Sequence, residues 1–310
     1  MRHPDVRFDV VGVGANSIDF VCRLPEYPEP AGANSKLRIT SYERSPGGQT
    51  ATTLAACAAL GLRASYVGTI ARDDNGRLVR DAMHARGVDT SRALVRDGDN
   101  PFAVILVADA STVHGERIVL WKRPAAMTLA PTDLPADLTA GARHVHVDDV
   151  DIDAAIAAGK AGKAAGLHVT TDIEAVKPGT KELIDAVTVP IFAEQVPGKL
   201  TGEPDVEQAL RALRRRHDGL LCVTLGPHGA AVLAGDRYIH QPGFHVEAID
   251  TTGAGDIFRA GFIYALLRGD SPESILRFAC AAAGLSCTRR GAINSVPTLD
   301  EVSRLLSGST

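Results

Sequence analysis

The chain has 310 residues, 45% hydrophobic and 23% charged, with 33 basic against 37 acidic side chains and a net charge of −4. That composition suits a globular protein and excludes a dedicated nucleic-acid binder, which carries a basic face; the longest basic run is Arg214 to Arg216. No apolar stretch approaches the roughly 18 residues of a membrane span, and five cysteines without CxxC spacing imply reduced thiols and a cytoplasmic location.

Taken in chain order, "FDVVGVG" (8–14) is a short Val-rich run closed by Gly and reads as a buried strand. After Gly47-Gly48, "ATTLAACAALG" is a helix of small residues stopped by Gly61. "ASYVGTI" (64–70) reads as one strand and "NGRLVRDAMHARG" as a helix ending at Gly87. "HVHVDDV" is a strand, "DAAIAAGKAGKAAG" a helix ending at Gly166, and "LHVTTDI" the next strand. "EQALRALRRRHDG" is helical, "LLCVTLG" a strand, and "AAVLAG" with "RYIHQPG" a hairpin. Residues 256–268, 272–287 and 299–306 read as three closing helices.

Apolar strands alternating with helices of ten or more residues imply an α/β fold whose mostly parallel central sheet is covered on both faces, a three-layer α/β/α arrangement. No Pro/Gly/Ser-rich linker divides residues 1–310, so one domain is expected. Two stretches, about 20–44 and 102–123, alternate apolar and polar residues with turns between. They read as antiparallel strands outside the main sheet, a small β-sheet lid over a substrate, with a decorative insertion as the alternative.

"GVGANS" (12–17) has the first two glycines of a dinucleotide fingerprint, but Ser17 replaces the third and no amphipathic helix follows, so a tight turn is the better reading. GxxxxGK[ST] is absent. "DTTGAGDIFRAG" (250–261) supplies another device. A helix is expected to begin near Asp256, its first amides lacking intrahelical partners; Gly253, Ala254 and Gly255 leave room for a bulky anion against them. A plain N-cap with a glycine turn is the competing reading.

That motif, together with "SPGGQTATTLAACAALG" and "VGTIARDDNG" (45–76), resembles the two signatures of the ribokinase-like, phosphofructokinase-B-type carbohydrate kinases; "VTLGPHGAAVL" (223–233) matches that family's nucleotide-side loop. The resemblance implies transfer of the ATP γ-phosphoryl group to a hydroxyl of a small sugar or sugar derivative, within a ribokinase-like fold. Asp256 would accept the hydroxyl proton, and Gly253, Ala254, Gly255 and the Asp256 amide would hold the migrating charge. Asp19, Gly47, Gly48, Thr52 and Asp148 would meet the sugar, with a turn or cap as the alternative for the two acids. Thr224, Gly226 and Gly229 would lie along ATP. Mg²⁺ is expected with ATP. Asp250 and Thr252 match positions that bind a monovalent cation such as K⁺, or else form a structural turn. Arg123 of "LWKRP" is a candidate for a substrate phosphate or carboxylate, while Lys122 reads as a solvated edge charge.

The chain departs from the family at Thr52, where Asn is usual, and at Ala193 and Val196, which stand at the Asn and Glu of the NxxE element. Glu194 is the nearest acid for the Mg²⁺ side. A lid with apolar faces implies a homodimer. Two other readings stay open: a nucleoside kinase, with Phe20, Phe102 and Trp121 to stack a base, and a non-catalytic sugar- or nucleotide-binding protein.

Overall fold

Val10 buries its side chain in one hydrophobic core while Val11 and Val13 enter another, because successive residues of a strand point to opposite faces. The same division recurs at Cys222 and Val232 against Leu221, Val223 and Leu233. The strand-poor ends of both cores are filled by helices, which makes three layers.

The computed structural model describes residues 6–108 and 117–308. In chain order the elements are β1 (Val10–Val13), β2 (Ser17–Leu24), β3 (Ser41–Gly47), α1 (Gln49–Ala59), β4 (Ala64–Val67), β5 (Thr69–Ala71), α2 (Asp74–Ala85), β6 (Leu94–Arg96), β7 (Phe102–Ala108), β8 (Ile118–Lys122), β9 (His144–Asp148), α3 (Ile152–Ala164), β10 (His168–Asp172), α4 (Thr180–Ala186), β11 (Ile191–Ala193), α5 (Gln195–Thr201), α6 (Val206–Arg214), β12 (Leu221–Thr224), β13 (Ala230–Ala234), β14 (Arg237–Gln241), α7 (Ala254–Arg268), α8 (Pro272–Ser286) and α9 (Leu299–Ser307). β10, β9, β1 and β4 pair in parallel in that order. Parallel bridges at Thr170–Val189 and Ile173–Phe192 join this sheet to β11, β12, β13 and β14, of which only the last two pairings are antiparallel. α1, α2, α7, α8 and α9 cover one face, α3, α4 and α6 the other.

The lid is a separate four-stranded sheet, β3-β2-β7-β8. Its outer pairings are antiparallel as expected, but β2 and β7 run parallel, since α1, β4, β5 and α2 intervene before the chain returns. Residues 109–116 of the expected lid stretch lie outside the described residues. Both roots of the lid are tied together. Asn100, just before β7, donates from Nδ2 to Asn16 Oδ1 at 2.9 Å, and Asn16, just before β2, donates to the Tyr66 hydroxyl at 2.8 Å and to the Thr69 carbonyl at 2.7 Å.

Two expectations needed revision. "ASYVGTI" is two strands, because Gly68 turns the chain where a Cβ would press into the Tyr66 ring and hydroxyl and the Gly14 carbonyl. The first of the three closing helices, α7, starts at Ala254, two residues before Asp256, behind Gly253 in the left-handed region at φ 78°. Its buried side includes Ile257, Ala260 and Phe262, and Gly261 lets α8 cross closely: a Cβ there would stand 2.9 Å from Ala279 Cα.

Candidate active site

In a parallel sheet the carboxyl ends of the strands lie along one edge, where ligands bind in such folds. Here β9 ends at Asp148, β10 at Asp172 and β12 at Thr224 on that edge. α7 starts above it. With the helix beginning at Ala254, Asp256 is its third residue and not its cap. The Ala254 amide donates to the Thr251 carbonyl at 3.3 Å, whereas the amides of Gly255 and Asp256 find no acceptor among the described residues. The donors open to an anion at this turn therefore narrow to those two plus the helix dipole. Asp256 is part-exposed, its carboxylate accepts no hydrogen bond among the described residues, and its carbonyl takes the Thr53 hydroxyl at 3.2 Å.

The expected sugar side meets this turn through Ala292. A Cβ on Gly253 would lie 2.9 Å from Ala292 Cα and 3.3 Å from Thr52 Cγ2; one on Gly47 would lie 3.5 Å from Ala292 Cβ and 3.0 Å from Asp19 Oδ2. Asp19, Gly47, Gly48, Thr52 and the α7 turn are thus one constellation. Gly48, at φ 98°, passes directly against the Asn16 backbone. Asp19 sits inside lid strand β2, not after β1, and shares its face with Ser17, whose hydroxyl donates to Asp19 Oδ1 at 3.1 Å. Burial pushes the Asp19 carboxyl up to about 6, opposed by Ser17 and Arg117 and assisted by Asp250.

Ser45 Oγ, Gln49 Nε2 and Thr52 Oγ1 around this constellation are buried without a hydrogen-bond partner among the described residues. Unpaired buried polar atoms are costly, and a polyhydroxylated ligand would satisfy them. Ser45 could have been read from the sequence: it pairs with Asp19 across β2 and β3, so the two share a face. Arg117, also unforeseen, donates to the Thr251 hydroxyl at 2.8 Å and brings the edge of the lid to the turn before α7.

Several assignments are corrected. Asp148 does not line the sugar pocket: fully buried, it accepts from the Ala15 amide at 2.6 Å, the Thr50 hydroxyl at 2.7 Å and the Val150 amide at 3.0 Å, stapling β1, α1 and β9. Arg123 is not a free anion receptor, because it is part-buried in an ion pair with Asp151 and donates to the Met127 carbonyl at 2.6 Å. Lys122 is exposed and pairs with Asp99 at 3.2 Å. Asp250 closes a turn: its oxygens accept the amides of Thr252 and Gly291, both at 2.9 Å, which outweigh burial and hold it below the usual carboxylate range.

On the nucleotide side, Thr224 ends β12 and donates to the Phe192 carbonyl at 3.3 Å. Gly226 and Gly229 frame the following turn at φ 55° and 90°; a Cβ on Gly226 would meet open space, so the backbone there is approachable. Glu194 is exposed at the start of α5, while Val196, at the position of the NxxE glutamate, is fully buried in the core and leaves that acid without a counterpart there. No group of three or more His, Cys, Asp or Glu among the described residues could hold a metal ion.

Asp256 is a stronger base than its reference value suggests. Burial raises its proton affinity well above the usual carboxylate range, Asp172 adds to this, and Arg259 opposes it. Asp172 and Arg259 were missed in the sequence; the one signal was an Arg inside the otherwise apolar run "IFRAGFIYALL".

Residues 7–299 match the pfkB family of carbohydrate kinases. The chain is 32% identical to an ATP-dependent ribose-1-phosphate kinase of Halopiger xanaduensis, covering 96% of this chain and 98% of that one. It is 28% identical to a ribokinase of Bacillus subtilis over 95% of this chain and 98% of the other. The structure of Arabidopsis thaliana ribokinase complexed with ribose and ATP superposes with a TM-score of 0.82 at 27% identity, over 96% of this chain and 98% of that one.

Proposed function

Because the chain belongs to the pfkB family of carbohydrate kinases, ATP-dependent phosphotransferases with an alcohol acceptor, we propose that it phosphorylates a hydroxyl of a small sugar, with Asp256 as the proton acceptor. One observation carries this assignment: a part-exposed acid whose carboxylate has no hydrogen-bond partner among the described residues stands beside two open amides, joined through Ala292 to Asp19 and Gly47. Asp19 and the unpartnered Ser45, Gln49 and Thr52 groups orient the sugar. The attacking hydroxyl loses its proton to Asp256 as its oxygen bonds to the γ-phosphorus of ATP, while the bond from that phosphorus to the bridging oxygen breaks and ADP leaves. The Gly255 and Asp256 amides stabilise the charge on the transferred phosphoryl group, where positioning and fixed donors supply most of the catalysis. A raised proton affinity suits Asp256 to general-base work near neutral pH better than an ordinary carboxylate.

ATP would lie along Thr224, Gly226 and Gly229. The side chains present do not form a metal cage, so Mg²⁺ would enter on the phosphate oxygens and water of the nucleotide, as this ion commonly does. Asp250 and Thr252 serve the turn, and K⁺ is not needed to explain them. The register of the lid favours a sugar over a nucleoside in that Phe20 and Phe102, two of the three candidates for stacking a base, lie on the face opposite Asp19; Trp121 alone of the three shares the Asp19 face. Ile118, Val119, Leu120 and Trp121 are exposed on edge strand β8, which supports a homodimer through the lid. Five free thiols and the use of ATP support a cytoplasmic location; among the described residues no helix is long and apolar enough to cross a membrane.

The test is steady-state kinetics of Asp256→Asn over a panel of pentoses, hexoses and sugar phosphates. Turnover should fall about 10²–10⁴-fold with ATP affinity unchanged. Turnover within tenfold of wild type removes Asp256 as the base.

A further inference from the structure

Beneath the first turn of α7 the sheet is polar where the rest of its surface is apolar. His144, His146 and Asp148 of β9 and Thr170 and Asp172 of β10 are all fully buried there, while Val145, Val147 and Val169 fill the opposite face. The two imidazoles share the Thr170 hydroxyl at 2.8 and 2.9 Å. Into this layer α7 lowers Arg259, one turn after Asp256. Its guanidinium is 3% exposed and forms an ion pair with the fully buried Asp172. It also lies against the anion hole: a Cβ on Gly255 would stand 2.8 Å from Arg259 Nη1.

An arginine keeps its charge in any protein environment, and a buried charge persists only where an opposite one compensates it. The groups acting on this region are acidic: Asp256 itself, Asp172 and the nearby Glu174 after β10, and Asp148 and Asp149 at the end of β9. His146 is held neutral by burial and by Arg259. Lys177 is committed to Asp149 at 3.0 Å. Two carboxylates sharing a buried site do not both ionise without a cation between them.

We propose that Arg259, paired with Asp172, is a positioning residue for phosphoryl transfer that favours the carboxylate form of Asp256 at the first turn of α7. The inference rests on the reading of Asp256 as the base, but it makes a separate physical statement about what sets the charge of that group. The two partners act in opposite directions. Asp172 disfavours the Asp256 anion and Arg259 favours it, so a residue that merely fills space would not reproduce the pattern.

The experiment titrates the Asp256 carboxyl by ¹³C NMR in the full chain labelled at aspartate, the resonance being assigned by its loss in Asp256→Asn. Arg259→Met should move the Asp256 midpoint up, and Asp172→Asn should move it down, each by about one to two pH units. The acidic limb of kcat/KM, which reports the free enzyme's base, should move the same way in each variant. Should Arg259→Met not fold, Arg259→Lys, which retains a cation with poorer geometry, should give a smaller upward movement. Midpoints that stay put, or that move in one direction in both variants, overturn the proposal. If Asp256→Asn keeps its turnover the base assignment fails, and the NMR titration still decides whether Arg259 and Asp172 govern the charge at residue 256.

Discussion

Replacing Asp19 with Asn separates what this carboxylate does for the fold from what it does for the ligand. It is 7% exposed and burial lifts it from 3.8 to about 6. A folded value above the unfolded one means that the protonated form is favoured in the native state. The associated stability is fully present below about pH 4 and is lost as pH rises through about 6. At about 1.4 kcal/mol per pH unit, ionised Asp19 costs roughly 3 kcal/mol above pH 7. Asn is neutral throughout, but its amide must find partners among Ser17 and Gly47, so about 2 kcal/mol of gain should remain. The variant should therefore melt about 1.5 °C below wild type near pH 4 and about 3 °C above it at pH 8, while kcat/KM for the sugar falls at least a hundredfold. Thermal melts from pH 4 to 8 read the first effect and steady-state kinetics the second. A gap that does not grow with pH, or a variant less stable at pH 8, refutes the argument.

Two further outcomes follow from packing. Gly48→Ala forces a side chain onto a positive φ and against the Asn16 backbone, and should cost about 3 kcal/mol in urea unfolding. Gly61→Ala, also at positive φ but facing open space, should cost about 1 kcal/mol; equal costs would show that close approach is not the constraint at Gly48. Leu120→Lys with Trp121→Lys places two charges on the exposed apolar strand of the lid and should halve the mass seen by sedimentation, whereas an unchanged mass would rule β8 out as the subunit interface.

The turn ahead of α7 was legible because such a turn constrains residue types locally: a left-handed Gly253, a small Ala254 and Gly255, and an acid within the first turn of the helix. Strand and helix order was legible for the same reason, since the two periodicities are short-range. Asp172 and Arg259 were not, because their meeting depends on how α7 lies across β10. Arg123 and Asp148 were misassigned because residue type does not tell whether a charge faces a ligand or a neighbour; here Asp151 claims one, and Ala15 and Thr50 claim the other. α4 and α5 escaped notice because each spans seven residues, and α5 contains both Pro197 and Gly198. The parallel pairing of β2 with β7 follows from chain return, which alternation of side chains does not encode.

The amide pair of Asn16 and Asn100 has a mechanical consequence. With both roots pinned at one point, the lid behaves as a lever whose arm lengthens by about 3.3 Å per residue. A tilt of about 20° would carry Leu24, eight residues out, by ~9 Å but Asp19, three residues out, by only ~3 Å. Such a tilt would open the far rim widely while Asp19 scarcely leaves its place.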